Sequence, residues 1–345
     1  MIGGSAGSIE PLKVIAHNLP AGFPGSVFVV VHLSSEGKSN LPKLLCGWGA
    51  LPAIHPIDRQ EVERGYVYVA RPDHHLSIEE GRIRVLRGPR ENRHRPAIDP
   101  LFRSAAREYG SRVVGIVLSG LQDDCAAGLY SIKKRGGVAI VQDPHEAMWK
   151  DMPTHAIQYA APDHILPTRE IAPMLVELAA AAGGALVMKN GKKGRRKATP
   201  EGSGRADENQ DVARSDEGEG TPSVFACPEC HGVLWELKQG KLVRFRCRIG
   251  HSYGPDSLSI ELSLSTEAAL WAAVRALDEK AALNRRVAEG MWAGRRMSAR
   301  LLDQSAADAS NAKLIRDIIF RSNGGLARRE PASKKKTRSR RKKAS

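Results

Sequence analysis

Short apolar runs alternate with segments of helical periodicity through the first half of the chain. The uninterrupted run Val-Phe-Val-Val-Val at residues 27–31 is typical of a strand that is buried on both faces of a sheet. Four more strands are predicted at 66–70, 83–86, 113–118 and 138–141. Helices are predicted at 126–134 and 171–182. This alternation indicates an α/β fold with a doubly wound, mainly parallel sheet over residues 1–185.

The composition changes after residue 185. Residues 186–222 hold a basic run, then seven acidic residues, and almost no large apolar residue, which predicts a disordered linker. Residues 223–258 carry three of the five cysteines. This stretch is too small to bury much apolar surface, and it is predicted to be a compact unit that a metal stabilises.

The end of the chain predicts a helical extension and a tail. Apolar residues recur at near-helical spacing from Ser265 to about Met297, and Ser265 is suited to cap a helix that begins there. We therefore assign residues 259–325 to a helical extension and residues 326–345 to a basic, disordered tail.

The formal net charge of +15 is concentrated in two short segments. Between residues 328 and 345 there are ten basic residues and one acidic residue, and six more basic residues lie between 189 and 197. Blocks of like charge are usually solvated and disordered, so the remaining chain is near neutral. The charge pattern therefore predicts no specific recognition of nucleic acid.

The five cysteines include a Cys-x-x-Cys pair. An odd number of cysteines with such a pair is typical of a reducing compartment and of metal binding rather than of disulfides. No apolar run approaches the roughly 18–20 residues of a membrane span. No signal peptide precedes the first glycine. We expect a cytoplasmic protein without membrane insertion.

Three candidate catalytic residues lie near the ends of predicted strands. Residues 3–7 (Gly-Gly-Ser-Ala-Gly) have the G-x-S-x-G spacing of a nucleophile elbow, in which glycines allow a tight turn that exposes the hydroxyl of Ser5. His32 directly follows one predicted strand, and Asp124 lies just beyond another. The carboxyl ends of parallel strands meet at one edge of a sheet, so the three residues can converge. They would supply a nucleophile, a base and the carboxylate that orients the base.

His32 and Asp124 also have a purely structural interpretation. His32 is compatible with a histidine that only satisfies its hydrogen bonds at a strand end. Asp124, or its neighbour Asp123, is compatible with an N-cap of the helix predicted from Ala126. The order serine, histidine, aspartate differs from that of α/β-hydrolases, where the acid precedes the histidine, and it favours a separate fold.

Four segments, in order, resemble the catalytic domain of the chemotaxis protein-glutamate methylesterases, the CheB family. They are 2–7, which resembles the nucleophile turn; 31–33, the histidine strand; 94–102, the segment H-x-P-S-V-D-x-L-F; and 118–128, the segment L-T-G-M-G-x-D-G-A-x-G. The pairs Gly136-Gly137, Gln142-Asp143 and Met152-Pro153 extend the resemblance through the domain. The last of the four segments aligns the catalytic aspartate of the family with Asp124 rather than with Asp123.

The resemblance implies hydrolysis of a glutamyl methyl ester on a methylated chemoreceptor or similar signalling protein, which yields glutamate and methanol. The family also deamidates receptor glutamine. Ser5 would form the acyl-enzyme, His32 would act as base and then as acid, and Asp124 would orient His32. Backbone N–H groups at Ala6 and Leu121 would hold the oxyanion. No cofactor is implied for the catalysis.

The sequence departs from the family pattern near Asp124. Gln122 and Cys125 replace glycines, so a backbone suited to positive φ carries side chains there, and Ser8 replaces a glycine after the nucleophile. Only two residues precede Gly3, so we expect a short strand before the turn. No receiver domain precedes the match, so a stand-alone form without phosphorylation in cis is expected. A catalytically impaired scaffold or binding protein with the same fold is the alternative interpretation.

Cys227, Cys230, Cys247 and His251 follow the pattern C-x2-C-x16-C-x3-H. Four sulfur and nitrogen ligands at paired spacing suit tetrahedral zinc, and a closed set of four indicates a structural site. Apolar stretches on both sides of Gln239-Gly240 predict a hairpin between the two ligand pairs, as in a zinc ribbon. A metal-free hairpin with reduced thiols is the alternative.

Overall fold

The computed structural model describes residues 1–32, 39–187, 220–290 and 295–326. The chain divides into two units, Met1–Glu261 and Leu262–Ser345. The predicted linker at 186–222 lies outside the described residues except at its ends. The predicted tail at 326–345 also lies outside them, except for its first residue.

The first part of the unit Met1–Glu261 alternates strands and helices. Its strands are β1 (Ile2–Gly4), β2 (Val27–Val31), β3 (Ala53–Ile54), β4 (Val67–Val69), β5 (His75–Glu79), β6 (Arg82–Leu86), β7 (Val114–Val117), β8 (Val138–Gln142) and β9 (His164–Leu166). Its helices are α1 (Ile9–Asn18), α2 (Leu41–Trp48), α3 (Ile98–Tyr109), α4 (Ala126–Lys134), α5 (Asp151–Ala160) and α6 (Thr168–Val187). A short 3-10 turn, Gly110–Arg112, follows α3.

Seven of these strands form one parallel sheet in the order β3-β4-β2-β1-β7-β8-β9. The strands β5 and β6 form a separate antiparallel hairpin. Alternate residues of β2 point to opposite faces of the sheet, as the period of a strand requires. Val29 joins a core with α1, α2 and α6, whereas Val30 joins a core with α3, α4 and α5. The predicted doubly wound, parallel sheet is confirmed.

The strand order reverses at β1, since the chain adds β2, β4 and β3 on one side and then β7, β8 and β9 on the other. A crevice forms outside the carboxyl ends of the strands where such a sheet changes direction. The segments that follow β1, β2 and β7 all lie at this edge. They contain the three candidate catalytic residues.

A second sheet follows the linker. Its four antiparallel strands are β10 (Thr221–Ala226), β11 (Val233–Gln239), β12 (Leu242–Cys247) and β13 (Ser252–Tyr253), in that order. The predicted hairpin is β11 with β12, and Gly240 turns between them with a φ of 63°. We call residues 221–254 the Cys/His unit.

The C-terminal part contains two long helices within the described residues, α7 (Pro255–Glu289) and α8 (Arg295–Leu326). Within Leu262–Ser345 they pack together, for example where the Ser305 hydroxyl donates to the Ala281 carbonyl at 2.8 Å. The predicted helix start at Ser265 is wrong, because α7 begins ten residues earlier, directly after Gly254. No described helix has both the length and the apolar composition needed to cross a membrane.

Candidate active site

Ser5 lies in the turn that joins β1 to α1. Its backbone N–H donates to the carbonyl of Ser119, 3.0 Å away, just beyond the neighbouring strand β7. Its own carbonyl accepts the Ser8 hydroxyl at 2.6 Å and the Ser8 N–H at 3.1 Å. Gly7 has a φ of 74°, in the left-handed region that favours glycine. The segment therefore has the strand–turn–helix geometry of a nucleophile elbow.

His32 follows β2, the strand next to β1 in the sheet. Gly4 pairs with Val31, and Ser5 and His32 are the next residues after this last pair of the two strands. The His32 N–H donates to the Gly4 carbonyl at 3.2 Å. Neighbouring strands are about 4.8 Å apart, so this register places the serine and the histidine side by side at the carboxyl edge of the sheet.

Asp124 is fully buried and accepts four hydrogen bonds. Its Oδ2 atom accepts from His32 Nε2 at 2.7 Å and from the Ile98 N–H at 2.7 Å. Its Oδ1 atom accepts from the Asn92 side-chain amide at 2.9 Å and from the Asp99 N–H at 3.3 Å. Burial alone raises the pKa of Asp124, but the hydrogen bonds from His32 and Ile98 outweigh burial and hold the pKa below its ordinary value. Asp124 is thus an ionised carboxylate at the N-terminus of α3, where helix N–H groups favour a negative charge.

The hydrogen bond to Asp124 leaves one ring nitrogen of His32 for other chemistry. His32 Nδ1 is buried and has no hydrogen-bond partner among the residues that the structure describes. An ionised carboxylate only accepts hydrogen bonds, so Nε2 carries the proton and Nδ1 keeps a lone pair. A neutral imidazole held in this tautomer, beside a serine, can accept the serine proton.

A second histidine ring lies against the first. His94 stacks on His32 with 3.6 Å between ring centroids and 10° between ring planes. Burial, together with the charge that His32 carries whenever it is protonated, lowers the pKa of His94 to about 3. His94 is therefore neutral at neutral pH, and its ring covers one face of His32 without adding a positive charge.

The segment after β7 closes the site from the other side. Ser119 Oγ donates to the Ala6 carbonyl at 2.9 Å and accepts the Trp149 N–H at 2.9 Å, so it connects three loops. A β-carbon at Gly120 would lie only 2.8 Å from Ser5 Cβ. Glycine at this position therefore permits the close approach of the two loops.

The predicted oxyanion donors lie in two of these loops. Within the described part of the chain, the N–H groups of Ala6 and Leu121 donate to no other group. Gln122 and Cys125, which replace glycines, have φ values of 68° and 126°. The loop that carries Leu121 thus keeps glycine-like backbone conformations in spite of the two side chains, and it stores strain.

Replacing Gln122 by glycine is expected to raise the free energy of unfolding by about 1 kcal/mol. The substitution relieves the left-handed backbone, and it removes Gln122 Oε1, a buried oxygen without a partner among the described residues. Chemical denaturation of the full chain measures the change. Gln158→Gly is the matched control, because Gln158 is exposed within α5 and glycine there costs about 1 kcal/mol. If both variants were destabilised equally, the backbone at Gln122 would not be strained.

The neighbouring carboxylate, Asp123, faces a different element. Its side chain accepts the Ser257 hydroxyl and, at 3.2 Å, the N–H of Asp256 in the first turn of α7. Burial raises the pKa of Asp123. The structure therefore brings Asp124 together with His32 and places Asp123 at the start of α7.

Three residues of the site were not singled out from the sequence. They are Asn92 and Asp99, which contact Asp124, and His94, which stacks on His32. His94 and Asp99 lie in the segment 94–102, whose resemblance to the family could have marked them. Asn92 lies before that segment, and no local pattern indicates its role.

Cys227, Cys230, Cys247 and His251 come together in the Cys/His unit, with all four donor atoms within 4.8 Å of one another. The Sγ atoms of Cys230 and Cys247 are 3.6 Å apart, and His251 Nδ1 lies 3.5 Å from Cys247 Sγ and 3.7 Å from Cys227 Sγ. Tetrahedral zinc with ordinary bond lengths requires about 3.8 Å between sulfurs and about 3.6 Å between sulfur and nitrogen. The donor set therefore has the composition and the size that zinc needs.

Residues 1–175 match the family model of the CheB methylesterase. A putative protein-glutamate methylesterase/protein-glutamine glutaminase of Leptospira interrogans is 35% identical over 179 residues, which cover 52% of this chain and 93% of that protein. Protein-glutamate methylesterase/protein-glutamine glutaminase 2 of Rhizobium johnstonii is 36% identical over 175 residues, 50% of this chain and 48% of that protein.

Among solved structures, the catalytic domain of the Thermotoga maritima CheB methylesterase is 31% identical. The similarity covers 51% of this chain and 96% of that domain, with a TM-score of 0.49. The family match includes every loop that carries Ser5, His32 and Asp124. It ends before the Cys/His unit.

Proposed function

This chain belongs to the CheB methylesterase family, and we propose that it hydrolyses glutamyl methyl esters on a chemoreceptor-type protein to glutamate and methanol. One observation carries the proposal: His32 is hydrogen-bonded to Asp124 through Nε2, while its buried Nδ1 has no partner in the described chain. His32 directly follows Val31, which pairs with Gly4, the residue before Ser5. This is the arrangement of a general base beside a nucleophile.

Acylation begins when Ser5 Oγ attacks the ester carbonyl and His32 Nδ1 takes the serine proton. Asp124 stabilises the imidazolium that forms and keeps the proton on Nε2. The N–H groups of Ala6 and Leu121 hold the oxyanion of the tetrahedral intermediate. His32 then donates its proton to the leaving methoxide, methanol departs, and an ester joins Ser5 to the glutamyl group.

Deacylation repeats these steps with water. His32 takes a proton from water, the resulting hydroxide equivalent attacks the acyl-enzyme, and the proton returns to Ser5 as the glutamate carboxylate leaves. An amide in place of the methyl ester would release ammonia by the same route, so glutamine deamidation is part of the proposal. None of the five cysteines forms a disulfide, which supports the cytoplasm as the compartment of the reaction.

The test is methanol release by the full chain from the methyl-esterified cytoplasmic domain of a chemoreceptor. We expect turnover that is proportional to enzyme and absent with unmethylated receptor. Absence of methanol from the methylated receptor, with enzyme that is folded, would refute the proposed substrate and favour the scaffold alternative.

We further propose that Cys227, Cys230, Cys247 and His251 hold one structural zinc ion. The distances between their donor atoms support this assignment, and so does the Glu229 carboxylate, which lies 3.2 Å from His251 Nε2 as an outer partner of a metal-bound histidine does. Four protein ligands leave no position for substrate, so the ion would supply folding energy rather than catalysis.

Replacing Cys247 by serine is expected to lower the zinc content of the purified full chain from about one ion to less than about a tenth of an ion per chain. The reason is that serine is not a thiolate ligand, and three ligands hold zinc far more weakly. Elemental analysis after dialysis against a chelator measures the content. Cys46→Ser is the matched control, because Cys46 is an exposed thiol on α2. Equal zinc content in the two variants would contradict the site.

A further inference from the structure

The Cys/His unit contacts residues 91 and 92, which lie in a loop beside the carboxylate of Asp124. Ser252 lies on β13 and is fully buried. Its carbonyl accepts the Asn92 N–H at 2.7 Å, and its hydroxyl accepts from Arg244 Nη2 at 2.6 Å. Arg244 also reaches Glu91 at 3.3 Å. These contacts bind the backbone and side chains of residues 91–92 to the Cys/His unit.

Asn92 connects this unit to Asp124. The side chain is 2% exposed, and each of its polar groups has a partner. Its amide nitrogen donates to Asp124 at 2.9 Å and to Asp99 at 3.1 Å, and its amide oxygen accepts the Gly254 N–H at 2.9 Å. A flipped amide would point its oxygen at two carboxylates and its nitrogen at an N–H donor, so the Gly254 N–H fixes the orientation that serves Asp124.

The backbone approaches closely at Gly254. A β-carbon there would lie 2.0 Å from Asp123 Oδ2 and 2.6 Å from Asp123 Cγ, and the Asp123 carboxylate is already held by the first turn of α7. In that same turn, Asp256 lies 2.9 Å from His155 Nε2, and His155 Nδ1 lies 3.0 Å from the carbonyl of Gln122. Gly254 and the first turn of α7 thus contact the catalytic loop at Asp123 and, through His155, at Gln122, directly before Asp124.

We propose that the Cys/His unit supports the active site directly, and that Asn92 is the positioning residue through which it acts on Asp124. Ser252 and Gly254 follow His251 by one and three residues, so binding of a metal by His251 orders the segment that orients Asn92. This proposal rests on the esterase activity proposed above. It makes the activity dependent on a metal that never touches the substrate.

Three full-length, zinc-loaded variants test the role of Asn92 by methanol release. We expect Asn92→Ala to lower kcat about 10- to 100-fold, the worth of one hydrogen bond to a buried charge. KM should stay within about twofold, because Asn92 is buried away from substrate. Gly254→Ala leaves Asn92 in place but disturbs the backbone N–H that orients it, so this variant should also lower kcat. Gly47→Ala is the control, because a β-carbon at Gly47 meets open space.

Removal of the metal tests whether the unit acts through Asn92. A chelator should lower kcat of the wild type about tenfold, and added Zn²⁺ should restore it. In Asn92→Ala the same treatment should lower kcat less than about twofold. The reason is that the metal acts on Asp124 through Asn92, so this coupling is already lost when Asn92 is replaced. Equal losses in the two proteins, or a kcat of Asn92→Ala within about twofold of wild type, would overturn the proposal.

A proton NMR measurement, which needs no substrate, tests the positioning role of Asn92 independently of the proposed esterase activity. The proton that His32 Nε2 shares with Asp124 should give a strongly downfield proton resonance in the zinc-loaded wild type and in Gly47→Ala. We expect the resonance to broaden or disappear on chelation and in Asn92→Ala and Gly254→Ala. If it persists unchanged in all three, Asn92 has no positioning role, whether or not methanol is released.

Discussion

Replacement of Ser5 by alanine is expected to lower kcat for methanol release by about a millionfold, with the chain folded and its zinc content unchanged. Ser5 and His32 directly follow Gly4 and Val31, which pair at the edge of the sheet, and Ser5 carries the only hydroxyl in the turn of residues 3–7. Without that hydroxyl no acyl-enzyme forms, and only the oxyanion donors and substrate binding remain to accelerate direct hydrolysis. The measurement is methanol release over extended times at high enzyme concentration.

Ser8→Ala is the matched control for this substitution. Ser8 lies three residues further on, and its hydroxyl donates to the Ser5 carbonyl at 2.6 Å. Loss of that bond should destabilise the turn by about 1 kcal/mol and lower kcat by no more than about tenfold. If Ser5→Ala retained activity comparable to that of Ser8→Ala, the nucleophile would lie elsewhere.

Replacement of Asp124 by asparagine is expected to lower kcat by about ten-thousandfold. An asparagine amide facing His32 Nε2 offers a donor where the carboxylate accepts, and it therefore favours the tautomer with the proton on Nδ1. That proton blocks the nitrogen beside Ser5, and the imidazolium also loses its compensating charge. Ester turnover at saturating substrate measures the effect, since substrate binding should change little.

Asp123→Asn distinguishes the two neighbouring carboxylates. Asp123 contacts Ser257 and Asp256 at the start of α7, so its substitution should cost at most about tenfold through weaker docking. Circular dichroism should show both variants folded. Comparable losses of kcat in Asp123→Asn and Asp124→Asn would contradict the assignment of Asp124 as the partner of His32.

Local pattern was sufficient to predict much of the framework. The continuous apolar run of β2 predicts a doubly buried strand, and the structure buries all five of its residues. The helix predicted at 126–134 coincides with α4. These elements were predictable because the spacing of apolar residues indicates which positions of a strand or helix are buried, whatever element packs against it.

The helical extension shows where local pattern fails. Ser265 has the chemistry of an N-cap, but it lies ten residues inside α7. The helix begins at Pro255 because proline is suited to a first turn, and because Asp123, from a loop 133 residues before Asp256, accepts the N–H of Asp256. A cap that comes from a distant loop leaves no signal in the residues around it.

The sequence alone determined which chemistry is available: a serine in a glycine turn, a histidine and an aspartate beyond strands, and four metal ligands at paired spacing. Only the tertiary structure decided which nitrogen of His32 faces Asp124, and that Asn92 joins Asp124 to the Cys/His unit. The physical reason is that spacing along a chain selects residue types and local turns. Hydrogen bonds between groups that are 32 to 162 residues apart depend on the register of strands and on the docking of the Cys/His unit against the first sheet.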